Sequence, residues 1–106
     1  MIEVDSGEVL PVRNLSTTCA HTPAGPPPAP RANGCEECLA TGGRWLHLRL
    51  CLSCGHVGCC DNSPGRHATK HFHTSHHPVM QSFEPGETWG WCYLEERELG
   101  PFSPAR

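Results

Sequence analysis

Residues 51–77 have the sequence CLSCGHVGCCDNSPGRHATKHFHTSHH, and they hold four of the eight cysteines and six of the eight histidines of the chain. Thiolates and imidazoles are the usual ligands of structural zinc. A disulfide framework is the alternative, but the first basic residue is Arg13, so the N-terminus lacks the basic start of a secretory signal. Without export we expect a cytoplasmic location, where clustered thiols are reduced and bind metal.

The composition of the whole chain also indicates a need for metal. The chain has 106 residues, the size of one small domain, and fewer than one residue in five is Leu, Ile, Val or Phe. A domain with so little apolar surface needs staples such as bound metal ions. The formal net charge is −3, and no run approaches the ~18 apolar residues of a membrane span. We therefore expect neither a nucleic-acid partner, which requires a basic surface, nor a membrane partner.

The distribution of proline and of metal-ligand residues suggests the domain organisation. Residues 22–33 contain five prolines and should form an extended surface loop. Cys19 and His21 precede this loop, and they would be separated from the other candidate metal ligands if the loop divided two domains. We therefore divide the chain into an N-terminal lead-in over residues 1–18, one zinc-finger domain over residues 19–99 with the Pro-rich loop 22–33, and a flexible tail over residues 100–106.

Side-chain alternation and helix-capping residues predict the secondary structure. Ser63 suits the N-cap, and Pro64 the first position, of a helix that runs to about Thr74. Alternation along the chain predicts strands over Arg44–Cys51, Val79–Phe83 and Thr88–Glu95, with a further strand at Glu8–Leu15. The predicted fold class is α+β, a small zinc-stabilised antiparallel sheet with one main helix.

Two Cys-x2-Cys pairs are the strongest indication of metal sites, because both sulfurs of such a pair can reach one ion. Each pair needs two further ligands to complete a tetrahedron. Two histidines, four residues apart, lie on one side of the predicted helix, and another Cys and another His lie nearby. The pairs are Cys35 with Cys38 and Cys51 with Cys54, and the further candidates are Cys59, His67, His71 and His77. Spacing alone leaves open which of these residues share an ion.

The order of the motifs along the chain identifies a protein family more specifically than any single motif does. The series comprises Cys19-Ala-His21, the two Cys pairs, WLHL at Trp45–Leu48, Cys59, His67-x3-His71, His77-Pro78 and WCY at Trp91–Tyr93. Over residues 19–95 this series resembles the UBP-type zinc finger, the ubiquitin-binding module of some ubiquitin-specific proteases and of a cytoplasmic histone deacetylase. The resemblance implies two zinc ions, the first bound by Cys35, Cys38, Cys59 and His67 and the second by Cys51, Cys54, His71 and His77.

The resemblance also implies a third zinc site, at which this chain departs from the family. The family joins its Cys-x-His pair to a C-terminal Cys-x2-Cys, whereas the last of these positions here is Glu95. A carboxylate can bind zinc at ~2.0–2.2 Å. A third zinc would then be bound by Cys19, His21, Cys92 and Glu95. Three protein ligands with a water, or a site without an ion, are the alternatives.

The family's ligand pocket predicts a binding function. By the resemblance, Trp45, Trp91 and Tyr93 line a pocket that receives the Gly-Gly C-terminus of ubiquitin. Trp89 shares a face of the predicted strand with Trp91 and Tyr93, and belongs either to the pocket or to the core. The family has a tail-binding arginine where this chain has Asp61, which repels a carboxylate. We therefore expect a non-enzymatic zinc-binding recognition module for a protein or peptide, with ubiquitin a weak ligand.

Other interpretations of the same residues remain open at this stage. The missing arginine could be replaced by Arg44, Arg49 or Arg66, which the sequence alone does not place. A purely structural zinc domain that docks on a partner protein would fill the pocket with buried tryptophans. A zinc hydrolase would need an open third site with Glu95 as the general base, and a redox sensor would release zinc on oxidation. Cys60 adjoins the candidate ligand Cys59, and on an extended chain its side chain would point the opposite way, so we assign it as a buried thiol.

Overall fold

The computed structural model describes residues 19–106, so the lead-in over residues 1–18 and its predicted strand Glu8–Leu15 lie outside the described residues. The described chain forms two helices and five strands. They are α1 (Glu36–Thr41), β1 (Leu48–Cys51), β2 (Val57–Cys59), α2 (His67–Ser75), β3 (Val79–Ser82), β4 (Gly90–Cys92) and β5 (Arg97–Leu99). The strands form one antiparallel sheet in the order β2-β1-β3-β4-β5. The predicted α+β class, with an antiparallel sheet and one main helix, is confirmed.

The two faces of this sheet differ in what they contact. In the register, Leu50 of β1 lies opposite Val57 of β2 and Gln81 of β3. These three residues are buried, so their face is the core face. The other face carries Arg49 and Met80, both only half-buried, and α2 packs on that side against β1 and β2. The second face therefore has room for a site between the sheet and the helix.

The core is small, and cysteines are a substantial part of it. Cys35, Cys59 and Cys92 are each 0% exposed and belong to the same cluster as Leu50 and Val57. These buried cysteines pack as apolar core residues, and each is also a candidate metal ligand. The shortage of aliphatic side chains in the sequence is therefore met by burying the cysteines.

The predicted strand over Arg44–Cys51 is shorter in the structure, where β1 begins at Leu48. Leu46, which the alternation of this strand would place on the same face as the buried Leu48 and Leu50, is 60% exposed. Its backbone N–H donates to Ser63 Oγ at 2.8 Å instead of to a neighbouring strand. The strand predicted over Thr88–Glu95 is likewise reduced to β4, whereas the strand predicted over Val79–Phe83 corresponds to β3.

The main helix begins three residues later than predicted, and Ser63 is not its N-cap. α2 starts at His67, after Arg66, whose backbone is left-handed (φ 46°) and whose side chain makes no capping hydrogen bond. The Ser63 hydroxyl is engaged elsewhere, since it accepts from Leu46 and lies 3.4 Å from Cys60 Sγ. The end of the helix at Ser75 agrees with the predicted end near Thr74.

The C-terminal residues 100–106, for which the sequence predicts a flexible tail, contact the sheet in the structure. Phe102 packs against the core, and its N–H donates to the Thr88 carbonyl at 2.7 Å. The Arg106 guanidinium lies 4.5 Å from the centre of the Phe83 ring. The prediction of a flexible tail rested on the Pro and Gly content of this segment and did not take into account the apolar contacts of Phe102. Within residues 19–106, no helix is long and apolar enough to cross a bilayer.

Candidate metal centres and an aromatic groove

The first group of candidate ligands, which we name site 1, lies between α1, β2 and the start of α2. His67 Nδ1 lies 3.3 Å from Cys35 Sγ, 3.5 Å from Cys38 Sγ and 3.4 Å from Cys59 Sγ. A tetrahedral zinc with Zn–S of ~2.3 Å and Zn–N of ~2.0–2.1 Å has S···N edges of about 3.5 Å. The side chains of site 1 therefore have the dimensions of a closed structural zinc site.

A second group, site 2, joins the turn after β1 to α2 and to the segment that follows α2. Cys51 Sγ lies 3.5 Å from His77 Nδ1, and Cys54 Sγ lies 3.4 Å from His71 Nε2. Burial lowers the pKa of His71 to about 4, so its imidazole is neutral, as a metal ligand must be. All four ligand atoms lie within 4.8 Å of one another, which fits a second zinc.

A third group, site 3, connects residues 19–21 to the turn between β4 and β5. His21 Nδ1 lies 4.0 Å from Cys19 Sγ, 3.7 Å from Cys92 Sγ and 3.1 Å from Glu95 Oε2. The other carboxylate oxygen, Glu95 Oε1, accepts from Arg97 Nε at 2.9 Å. The four ligand atoms lie within 4.8 Å of one another, but the His21 and Glu95 side chains are 37% and 30% exposed. Site 3 is therefore more open to solvent than site 1.

Burial raises the pKa of four thiols in these sites, whereas hydrogen bonds outweigh burial at Cys19 and lower the pKa of its thiol. Burial raises the pKa of Cys35 to about 12, and it raises the pKa of Cys38, Cys51 and Cys92 above their usual value. Without a cation nearby these four thiols would stay protonated at neutral pH. Since a zinc ligand is a thiolate, metal binding would release protons from these groups.

One buried histidine links site 1 to site 2. His56 is 3% exposed, and its Nε2 lies 2.7 Å from a carboxylate oxygen of Glu37, which lies between Cys35 and Cys38 of site 1. Its ring stacks on His71 of site 2 at 4.0 Å with an angle of 6°. Burial acts to raise the pKa of Glu37, but the hydrogen bond to His56, a backbone hydrogen bond and the charges of His56 and His67 together outweigh burial and lower this pKa. Such partners orient the ligands of a metal site.

Cys60 lies outside the three sites and is buried, as the sequence analysis expected. Its Sγ lies 3.4 Å from Ser63 Oγ. Burial acts to raise the pKa of the Cys60 thiol, but hydrogen bonds from Ser63 and from nearby backbone N–H groups outweigh it and lower the pKa to about 7. The thiol therefore has substantial thiolate character without being a candidate ligand.

An aromatic groove of about 480 Å³ opens between α2 and the half-buried face of the sheet. Its volume falls within the range of roughly 300–1,000 Å³ that is typical of ligand sites. Trp89, Trp91 and Tyr93 line it from the β4 region, and Phe72 lines it from α2. The Phe72 and Tyr93 rings stack at 4.7 Å with an angle of 7°. The groove thus offers rigid aromatic walls for contact with a ligand.

Of the three residues predicted to line the pocket, the structure brings Trp91 and Tyr93 together and separates Trp45 from them. Trp45 precedes β1 and packs against the core, with its ring so close to Gly34 that a Cβ there would lie 2.7 Å from it. The shortened β1 explains this difference, because Trp45 does not continue the strand face that leads to the groove. Trp89, which the sequence left between pocket and core, lines the groove.

Arg49 is the residue of the groove that sequence reasoning could name only as one of three candidates. It lines the groove from β1, and its guanidinium lies 4.6 Å from the centre of the Trp89 ring. One guanidinium nitrogen donates to the Leu48 carbonyl at 3.1 Å. Arg49 forms no ion pair with any residue between 19 and 106. The alternation of β1 was the available signal, since it put Arg49 on the face opposite Leu48 and Leu50.

Asp61 also lines the groove, on an exposed loop after β2. Its Oδ1 accepts from the Thr69 hydroxyl at 2.6 Å, and that hydroxyl lies 3.3 Å from the Tyr93 hydroxyl. Burial raises the pKa of Tyr93, so its phenol stays neutral. The groove therefore combines aromatic walls with one cation and at least one anion.

Comparison with protein families finds one match, over most of the domain. The family model described as "Zn-finger in ubiquitin-hydrolases and other protein" matches residues 35–102. The matched region contains all the residues of sites 1 and 2 and the aromatic groove, and it leaves Cys19 and His21 of site 3 outside.

Individual proteins resemble the chain over the same region. It is 42% identical over 64 residues to ubiquitin carboxyl-terminal hydrolase 44 of Ailuropoda melanoleuca, and 37% identical over 51 residues to ubiquitin carboxyl-terminal hydrolase 16 of Rattus norvegicus. These matches cover 57% and 47% of this chain but only 8% and 6% of the hydrolases. The solution structure of protein RPA1320 from Rhodopseudomonas palustris has a TM-score of 0.76 and 45% identity, covering 87% of this chain and 93% of that one.

Proposed function

The chain belongs to the UBP-type zinc-finger family, and on that premise we propose that it is a recognition module that captures the C-terminal tail of a peptide or protein in the aromatic groove. The observation that carries the proposal is Arg49, a cation without an ion-pair partner among residues 19–106, in a groove walled by Trp89, Trp91 and Tyr93. Modules of this family bind protein tails such as that of ubiquitin, which supports a tail as the ligand of this groove.

In this proposal zinc supplies the rigidity that the groove requires. The chain binds zinc as a UBP-type zinc finger, and its Cys and His clusters are consistent with zinc ions. We propose that sites 1, 2 and 3 each bind one ion, with Glu95 as the fourth ligand of site 3. Site 1 and site 2 each attach α2 to the sheet, and α2 forms one wall of the groove. A structural zinc in a zinc-finger peptide contributes about 10–16 kcal/mol of folding free energy.

Arg49 gives the groove the charge that a terminal carboxylate needs. In the family an arginine that binds the tail stands where this chain has Asp61. A guanidinium can donate two parallel hydrogen bonds to a carboxylate, and the half-buried position of Arg49 strengthens its attraction for a negative charge relative to a fully exposed side chain. We propose that Arg49, reaching the groove from β1, takes over this role.

The two alternative functions, a zinc hydrolase and a purely structural zinc domain, have less support. A zinc hydrolase needs an open coordination position, whereas the Glu95 carboxylate lies within 3.1 Å of His21 Nδ1 and is oriented by Arg97. A purely structural domain would fill its pocket with buried tryptophans, whereas Trp89 and Trp91 are only half-buried and line an open groove.

Peptide titration tests the proposal directly. Fluorescence anisotropy would compare a labelled peptide ending in free Gly-Gly with the same peptide ending in an amide. We expect the free acid to bind and the amide to bind at least about tenfold more weakly, because a charge-assisted hydrogen-bond pair is lost. Arg49→Gln should remove this difference, whereas Arg44→Gln, a control outside the groove, should keep it. Equal binding of acid and amide by the unaltered protein would contradict the proposal.

A further inference from the structure

We propose that the two consecutive glutamates of α1, Glu36 and Glu37, connect site 1 to site 2, so that zinc binding at one of these sites increases the zinc affinity of the other. The inference rests on the proposed function, because it takes sites 1 and 2 as zinc sites. It goes beyond that function by assigning positioning roles to side chains that are not candidate ligands.

Helix α1 is positioned by the ligands of site 1. Cys35 is its N-cap and Cys38 lies within it, and both cysteines belong to site 1. Isolated helices shorter than ~12–15 residues are marginal in water, and α1 has only 6 residues. We therefore expect α1 to be ordered only when the ligands of site 1 are held together by a metal ion. Glu36 and Glu37 lie between the two cysteines, so the positions of their carboxylates depend on site 1.

The first connection runs from Glu37 through His56 to site 2. The Nε2 atom of the buried His56 lies 2.7 and 3.0 Å from the two carboxylate oxygens of Glu37. The ring of His56 stacks on that of His71 at 4.0 Å, with an angle of 6°. Strand β2 confines the ring on another side, because a Cβ at Gly58 would lie 2.8 Å from His56 Cε1. A histidine held in this way fixes the ring plane of His71, whose Nε2 faces Cys54 Sγ in site 2.

The second connection runs from Glu36 through Arg31 to the same site. One guanidinium nitrogen of Arg31 donates to Glu36 Oε1 at 2.9 Å, and the other lies 3.7 Å from Cys54 Sγ. The other carboxylate oxygen of Glu36 accepts from the Val57 N–H at 3.0 Å, and the backbone N–H of Arg31 donates to the Gly55 carbonyl at 2.9 Å. The Arg31 side chain is 52% exposed, and exposed ion pairs contribute little. We therefore expect this connection to be weaker than the buried one.

The two connections predict thermodynamic coupling between the sites. Metal binding at site 1 orders α1, and the ordered glutamates hold Arg31 and His56 against the ligands of site 2. The entropy cost of ordering these side chains is then already met when the second ion binds. Coupling between two binding sites is reciprocal, and it typically changes affinity by a factor of about 5–150. Sites 1 and 2 should therefore fill and empty together as the free zinc concentration changes.

Alkylation of cysteines in zinc buffers tests the coupling, because each site is reported by its own thiols. The protein is equilibrated at a series of free zinc concentrations set by a chelator, and thiols that are not bound to metal are alkylated. Peptide mass spectrometry then gives the protected fraction of Cys35 for site 1 and of Cys51 for site 2. In the unaltered protein the two midpoints should coincide.

The variants at α1 should separate these midpoints. Glu37→Ala removes the acceptor of the His56 N–H, and it should separate the midpoints of the two sites by at least about fivefold. Glu37→Gln keeps an oxygen that can accept from His56, so it should leave the midpoints together. Glu36→Ala should give a smaller separation than Glu37→Ala, because its connection is more exposed.

Glu84→Ala is the matched control. Glu84 Oε2 accepts from the Leu48 N–H at 2.8 Å, and Glu84 belongs to none of the three sites. A contact that only stabilises the fold lowers the zinc affinity of both sites, so Glu84→Ala should move both midpoints without separating them. If Glu37→Ala also moves them together, the sites communicate only through folding, and the inference is refuted while the zinc sites stand. If zinc protects neither Cys35 nor Cys51, the proposed zinc sites fail and this inference fails with them.

Discussion

Replacing one buried cysteine by serine should strongly destabilise the domain, whereas the same replacement at another buried cysteine should be tolerated. Cys35 is 0% exposed and its Sγ lies 3.3 Å from His67 Nδ1 in site 1. Cys60 is 4% exposed, and its Sγ lies 3.4 Å from the Ser63 hydroxyl. The two variants therefore share the substitution and the burial, and they differ in whether a candidate zinc ligand is lost.

The expected magnitude follows from the contacts of Cys35. Its Sγ also caps α1 by accepting from the Cys38 N–H, but serine is itself a good N-cap, so Cys35→Ser keeps the cap and removes the thiolate. If losing one of four ligands forfeits a third of the binding free energy of the zinc, stability falls by at least about 3 kcal/mol. That is a large part of the roughly 5–15 kcal/mol that stabilises a domain. Cys60→Ser should cost only about 1 kcal/mol.

Thermal denaturation followed by circular dichroism, with zinc measured by mass spectrometry, distinguishes the two variants. Cys35→Ser should lower the Tm by more than about 10 °C, because each kcal/mol shifts the Tm of a domain of this size by about 4–8 °C, and it should retain less than its full zinc content. Cys60→Ser should keep its full zinc content. If both variants melted at the same temperature with the same zinc content, the assignment of Cys35 as a ligand would be wrong.

Two further results are expected. Glu95→Gln should weaken the binding of one zinc by about 10-fold or more, as measured by competition with a chromophoric chelator. Glu98→Gln is the control and should leave the zinc affinity unchanged. An unchanged zinc affinity in Glu95→Gln would exclude Glu95 as a ligand. The pKa of Cys60 is lowered to about 7, and the thiolate is the reactive form of a cysteine. The rate of alkylation of Cys60 in the zinc-loaded protein should therefore be half-maximal near pH 7. A midpoint above about 8.5 would show that the hydrogen bonds from Ser63 and the backbone do not lower the pKa of this thiol.

The sequence predicted most of the ligand groups because a metal site imposes its own spacing. The Cys-x2-Cys pairs and the two helical histidines are local patterns, and each is visible without the fold. Which pair shares an ion with which histidine is a tertiary question, however, and only the family resemblance supplied an answer. The structure then brings the candidate atoms together in those same three groups.

The parts of the fold that sequence reasoning did not find are short or depend on distant contacts. β2 and β5 have three residues each, and α1 has six, which is too few for a periodic pattern. Ser63 precedes Pro64 and so has the sequence signature of an N-cap, yet its hydroxyl accepts a hydrogen bond from the N–H of Leu46, seventeen residues earlier. Such a contact exists only once β1 and the loop before α2 are side by side.

The groove could be predicted only in part, for a similar reason. Trp91 and Tyr93 alternate on one strand, so their common face was evident. Arg49 is on another strand, and its position relative to Trp89 depends on the order β2-β1-β3-β4-β5. The family resemblance placed Trp45 in the pocket as well, whereas in the structure β1 begins only at Leu48 and Trp45 packs against the core.

The central claim is that zinc ions do the work of the missing aliphatic core, and removal of the metal tests it most directly. The purified chain would be dialysed against excess chelator, and its circular dichroism and thermal melting would be recorded before and after zinc is restored. The account predicts loss of the native spectrum and of cooperative melting without zinc, and recovery of both on its return. A metal-free chain that kept its native spectrum and still melted cooperatively would contradict it.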